Sequence, residues 1–207
     1  MDLSRAYDVM TVARRLVLIG APADATGEAD AVFVSPLHLQ KLLYYVQGWG
    51  LALLGRPLFR QRLEAWKFGP VVPEVYDRFR GRSDAVGPGE IAPTGEEIDP
   101  TASALIDTVW REYVGVPSRE LIERTHREPA WLEARAGLAD DAPSGAALSL
   151  DTMRTFFKAE AVRLVKPRGP FPAIDPADVW AAEEASEASG RKTVPAADVF
   201  AALLEGP

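Results

Sequence analysis

Apolar residues recur at three- and four-residue steps along several stretches of the chain. Ala6, Val9, Ala13, Leu16 and Val17 predict an amphipathic helix from about Ser4 to Gly20. Gly20, Pro22 and Gly27 break that pattern, and residues 24–30 read as a polar loop. A second helix has a clear start, because Ser35 can cap it and Pro36 suits its first position. From Leu37 to Leu54 apolar residues cover most of the circumference, which predicts the central helix of the core, and Gly55 ends it. Gly48 and Gly50 inside it either admit a close neighbour or mark a bend.

The pattern then becomes irregular. Leu63 to Phe68 is the one extended candidate, and Gly69-Pro70-Val71-Val72-Pro73 reads as a rigid turn. Pro73 opens a helix through Val75, Tyr76 and Phe79 to Gly81, and residues 87–95 form a Gly/Pro-rich loop. Asp99 and Pro100 repeat the cap-and-proline start, for a helix carrying Ala104, Leu105, Val109, Trp110 and Tyr113 and ending at Gly115. Ser118 is read as the cap of a helix bearing Leu121, Ile122 and Thr125. Pro129 stops that helix, because proline pushes the residue before it out of helical geometry, and Trp131 and Leu132 are left in a short turn. Ser149 caps a helix through Met153, Phe156, Phe157, Ala161 and Leu164. The expected fold is mainly α: a compact helical domain over residues 1–165 with at most a short two- or three-stranded element. A C-terminal helical extension follows it.

Composition changes the picture only beyond residue 165. Pro167, Gly169, Pro170, Pro172 and Pro176 make a stiff linker. Two candidate helices follow, Pro176 to Ser189 and Pro195 to Leu204, and residues 173–207 carry seven acids against two bases. Residues 166–207 are therefore set apart as a Pro-rich linker with an acidic helical extension. By contrast, residues 56–82 hold seven bases and three acids. Over its 207 residues the chain has a net charge of −7, which argues against nucleic acid as the main partner. The absence of cysteine excludes thiolate metal sites and disulfides, and two histidines cannot build a His-rich metal centre. No apolar run reaches the ~20 residues of a membrane span, and the N-terminus lacks signal-peptide character. The expectation is a cytoplasmic protein with no membrane partner.

Candidate chemistry is sparse. There is no phosphate-binding glycine loop and no nucleophile elbow, so the chain is expected not to be an enzyme, with no catalytic residue, cofactor or metal. His38, in the first turn of the central helix, reads as an ordinary partly exposed residue. The segment Thr125-His126-Arg127-Glu128-Pro129-Ala130-Trp131 has two readings. One is a partner-binding or acid/base cluster; the other, favoured here, is a helix C-terminus with Trp131 packed beneath the imidazole. Gln40 and Lys41 stand in an otherwise apolar helix, either as buried anchors that bond a loop or as its exposed edge. Tyr44, Tyr45 and Trp49 read as core aromatics.

Three blocks resemble a known family. Ser35-Pro36-Leu37-x-Leu39-Gln40-Lys41-Leu42-Leu43-Tyr44-Tyr45-x-Gln47-Gly48-Trp49 looks like the signature of the Panacea domain, the SocA-like antitoxin family. Gly55-Arg56-Pro57-Leu58-Phe59, with Glu64 to Tyr76, and then Thr125-His126-x-Glu128-Pro129-Ala130-Trp131 follow in the same order. The resemblance implies a mostly helical, non-catalytic antitoxin, in some members prophage-encoded, that neutralises a neighbouring-encoded protein toxin by direct binding. The alternative it implies is an adaptor that presents its bound toxin to a Clp-type protease. On this reading Gln40, Lys41, Tyr44, Tyr45, Trp66, Gly69, Pro70, His126, Glu128 and Trp131 are scaffold. Gly69-Pro70 would set a turn whose backbone Lys41 or Gln40 bonds. Val179, Trp180, Val199, Phe200, Leu203 and Leu204 are candidate contacts to the toxin or to the main domain, because sparse apolar residues on acidic helices suit a partner groove.

Overall fold

In the computed structural model the described residues are 3–21, 32–139 and 141–165. They form seven α-helices and one two-stranded antiparallel sheet. The order is α1 (Val9–Gly20), α2 (Pro36–Leu53), β1 (Glu64–Trp66), β2 (Gly69–Val71), α3 (Pro73–Arg78), a 3-10 turn (Pro88–Glu90), α4 (Pro100–Tyr113), α5 (Ser118–Thr125), α6 (Pro129–Ala134) and α7 (Leu150–Val165). The chain divides into two compact units, residues 1–158 and 159–207. Of the second, the described residues are the last turns of α7, where Arg163 pairs with Glu160 at 2.7 Å. The linker, the acidic extension and all six of its candidate contact residues lie outside the described residues.

The first unit is built around α2. Fifteen of its eighteen residues are buried, from His38 to Ala52. Its start follows the sequence signal, with the Ser35 side chain accepting from the His38 amide. It ends at Leu53, two residues before Gly55 takes a φ of +67°. Helices α1, α3, α4 and α5 and strand β2 all pack on it. Gly48 is what allows α7 to approach, since a Cβ there would lie 2.1 Å from Phe157 Cε2. Gly50 does the same for Leu58, so both glycines serve close packing within a continuous helix.

Three long polar side chains of α2 hold the irregular chain between residues 57 and 72. Gln47 Oε1 accepts from the amides of Leu58 at 2.8 Å and Phe59 at 3.1 Å, while its Nε2 donates to Phe59 O at 3.1 Å. Gln40 accepts from the Val72 amide at 2.8 Å and donates to the Val72 carbonyl at 3.3 Å. Lys41 Nζ donates to Pro70 O at 3.1 Å. Buried backbone with few sheet partners needs such side-chain partners. The sheet itself is small: Glu64 opposes Val71 and Trp66 opposes Gly69. Its other edge is covered where Ala65 N donates to Ala146 O and Leu148 N to Leu63 O.

Several local expectations change. The first helix starts at Val9, because Asp8 caps it by accepting from the Met10 amide while Tyr7 is extended and bridged to Phe59. Helix α3 ends at Arg78, short of Gly81. Ser118 is the first residue of α5 and not its cap; its hydroxyl lies 3.3 Å from His38 Nδ1. Trp131 and Leu132 lie in a helix and not in a turn. Pro129 ends one helix and opens the next, since its fixed φ and missing N–H suit a first helical position.

Candidate functional site

Two neighbouring features gather the family-motif residues: a buried polar cluster between α2 and α6, and an aromatic groove lined in part by the small sheet.

The cluster centres on Glu128, the residue before α6, which is 7% exposed. Its carboxylate accepts from the Tyr44 hydroxyl through Oε2 and from the Tyr45 hydroxyl through Oε1, the latter at 3.2 Å. Burial, and then the Glu128 charge, push both phenols well above the ordinary tyrosine range. Lys41 is fully buried. Burial pulls its amine down to about 7, and the Glu128 carboxylate opposes that shift only in part. Gly69, with φ +91°, passes directly over this amine: a Cβ there would lie 2.7 Å from both Lys41 Nζ and Thr125 Oγ1. Tyr45 stacks on Tyr113 at 4.0 Å between centroids, and Trp49 Nε1 donates to the Tyr113 hydroxyl at 3.1 Å. Phe157 meets Tyr44, Tyr45 and Trp49 edge-on.

A second chain of contacts ties α6 to the sheet. Trp131 Nε1 donates to Trp66 O at 3.1 Å. The His126 ring stacks on Trp131 at 4.0 Å and 14° between planes, and Arg135 lies 5.1 Å from the Trp131 ring. Arg135, only 5% exposed, donates to the carbonyls of Ala65, Ala139 and Ala142. His38 is also buried and not partly exposed as expected; its Nε2 lies 3.3 Å from Tyr113 O. Burial lowers its pKa, against the pull of that carbonyl.

All ten motif residues therefore lie in or beside these two contact sets. Sequence reasoning missed three residues that belong with them: Gln47, Arg135 and His38. Gln47 carried a signal, a lone amide in an apolar helix face. Arg135 carried none, since an arginine after a short apolar run reads as surface.

The groove is a cavity of about 720 Å³. Trp66, Phe68, Tyr76, Phe79 and Leu37 provide its apolar walls, and Gln40 reaches it from α2. Trp66 and Tyr76 meet edge-on at 4.7 Å. Glu64, Lys67, Arg82 and Asp141 bring charge to it. A cavity of this size with aromatic walls and few polar groups suits ligand or peptide binding. Among the described residues no group of three or more His, Cys, Asp or Glu is placed to hold a metal ion, and no helix is long and apolar enough to cross a membrane.

Residues 39–132 match the family model described as Antitoxin SocA-like, Panacea domain. The match runs from the first turn of α2 to the middle of α6, so it contains every residue of the buried cluster except Phe157. A curated relative, Antitoxin SocA of Caulobacter vibrioides (strain NA1000 / CB15N), is 56% identical over 46 residues, which is 22% of this chain and 24% of the relative. The matched stretch thus spans about a quarter of that relative's length. No solved structure matches.

Proposed function

Because residues 39–132 match the family model described as Antitoxin SocA-like, Panacea domain, we propose that the chain is the antitoxin of a toxin–antitoxin pair and neutralises a protein toxin by binding it. The observation that carries this reading is where the family match falls. It covers the segment whose polar side chains are spent on holding backbone and on one another, which suits a rigid scaffold that presents a surface. The buried carboxylate, amine and phenols of the cluster are enclosed, which favours a binding protein over an enzyme; the chain is read as cytoplasmic, with residues 1–165 as its domain. The ten motif residues act as scaffold, and the partner-selecting contacts lie on the surface and in the 166–207 extension, with Val179, Trp180, Val199, Phe200, Leu203 and Leu204 as its apolar contacts.

Growth of cells expressing the neighbouring reading frame, with and without this chain, tests the proposal. Arrest by the neighbour and rescue by this chain, with the two proteins purifying together, is the expected result. A harmless neighbour, or arrest that this chain leaves untouched, would overturn it. Rescue that disappears in cells lacking Clp proteases would move the role from occlusion to adaptor.

A further inference from the structure

The turn of the small sheet carries an aromatic ring where a polar residue is usual. Trp66 opposes Gly69, so Lys67 and Phe68 are the two residues of a tight hairpin turn, a place that favours Asn, Asp and Gly. Phe68 is 58% exposed, and both turn residues line the aromatic groove beside Trp66, Tyr76 and Phe79. Two of the groove's charged side chains are met within the chain. Glu64 has one carboxylate oxygen on the Trp66 indole N–H at 2.8 Å and the other on the Arg62 guanidinium at 2.6 Å, and Arg82 pairs with Asp84 and Glu90. The other two are not. Lys67 Nζ lies 5.6 Å from the Phe68 ring and Asp141 is exposed, and neither has an ion pair among the described residues. The open charge of this face is therefore one cation and one carboxylate.

An occupant of either sign alone would pair one of these charges and meet the other as a like charge. A purely apolar occupant would strip water from both and return nothing to them. What fits is a surface that offers an exposed apolar knob, one cation and one carboxylate, and this face is itself such a surface. In a two-fold pairing each copy presents the same patch to the other, so every contact between unlike residues forms twice. We propose that the groove takes a second copy of this chain. Phe68 of each copy enters the aromatic groove of the other, and Lys67 of each copy pairs with Asp141 of the other. Both open charges are then neutralised, and the exposed ring is covered. The pairing does not depend on the antitoxin reading.

Sedimentation velocity of the full chain, from micromolar to submillimolar concentration, tests the pairing. The parent is expected to dimerise. Phe68→Ser, at an exposed position, should weaken the dimer at least tenfold with the circular dichroism spectrum unchanged. Lys67→Asp and Asp141→Lys should each weaken it at least tenfold, because each sets two like-charged pairs across the interface. Mixed one to one, these two variants regain both ion pairs with the charges exchanged. A heterodimer of parental strength should then form, detected by co-purification through an affinity tag on one of them. Misfolding of a variant cannot imitate that rescue. A monomeric parent, a dimer that Phe68→Ser leaves intact, charge variants that dimerise like the parent, or a mixture no stronger than either variant alone overturns the proposal.

Discussion

Gly69 offers a sharp test of the buried cluster, because the chain holds a natural control. Gly55 and Gly69 both have positive φ, +67° and +91°. Alanine at either position meets a left-handed backbone penalty of about 1–2 kcal/mol, offset by about 0.4–1 kcal/mol from a stiffer unfolded chain. At Gly55 nothing lies within 4 Å of the added methyl, so the net cost stays at about 0–1.6 kcal/mol. At Gly69 the methyl would sit 2.7 Å from Lys41 Nζ and from Thr125 Oγ1. The amine must then shift, and a buried donor that loses Pro70 O costs about 1–3 kcal/mol. Gly69→Ala should therefore be less stable than Gly55→Ala by about 1–3 kcal/mol. For a chain of this length each kcal/mol lowers Tm by about 2–4 °C. Urea and thermal unfolding of the parent and both variants measure the difference. Lys41→Met, whose side chain is one atom shorter, should recover part of the Gly69→Ala loss in the double variant. Two alanine variants within about 0.5 kcal/mol of each other, a margin typical of independent sites, would refute the placement of Lys41 under the turn.

Three further outcomes follow from the same network. Lys41 binds its proton less tightly in the folded chain, near 7, than in the unfolded chain at its ordinary value of 10.5. The unfolded state thus holds more protons across that window, and stability should rise with pH by up to about 1.4 kcal/mol per unit between pH 7 and 9.5. Lys41→Met should flatten that rise, and parallel pH profiles for the two proteins would contradict the assignment. Glu128→Leu leaves the Tyr44 and Tyr45 hydroxyls without their acceptor and should cost about 2–5 kcal/mol, read as a lower urea midpoint at unchanged m-value; a loss under about 1 kcal/mol would count against the cluster. Gly48→Ala drives a methyl into Phe157 and should cost about 1–3 kcal/mol, recovered in part by Phe157→Leu, while additive effects would deny the contact.

The legible parts of this fold were those encoded by neighbours in sequence. Ser35-Pro36 and Asp99-Pro100 each mark a helix start within a few residues, because capping is a local transaction between a side chain and the next turn's amides. The central position of α2 was legible from its nearly continuous apolar surface. Pro129 was only half read, since the same residue that ends α5 also begins α6. The partners of buried polar groups were mostly illegible. Glu128 lies 84 residues from Tyr44, and Arg135 lies 70 from Ala65. Spacing reports which face of a helix is apolar, but not which distant atom a carboxylate will meet. Their own pattern left Gln40 and Lys41 as a choice between a buried anchor and an exposed edge, while the family resemblance pointed to a bond with the Gly69-Pro70 turn; the structure buries both and sets Lys41 Nζ on Pro70 O.

The way α2 holds its neighbours has a consequence for exchange with solvent. The amides of Leu58, Phe59 and Val72 lie outside every helix and strand, where amides ordinarily open and exchange with little cost. Here their acceptors are the carbonyl oxygens of Gln47 and Gln40, both buried on the central helix. Deuterium reaches these three positions only when the helix itself gives way. They should exchange at the slow rate of the α2 amides, as three loop residues that record global unfolding.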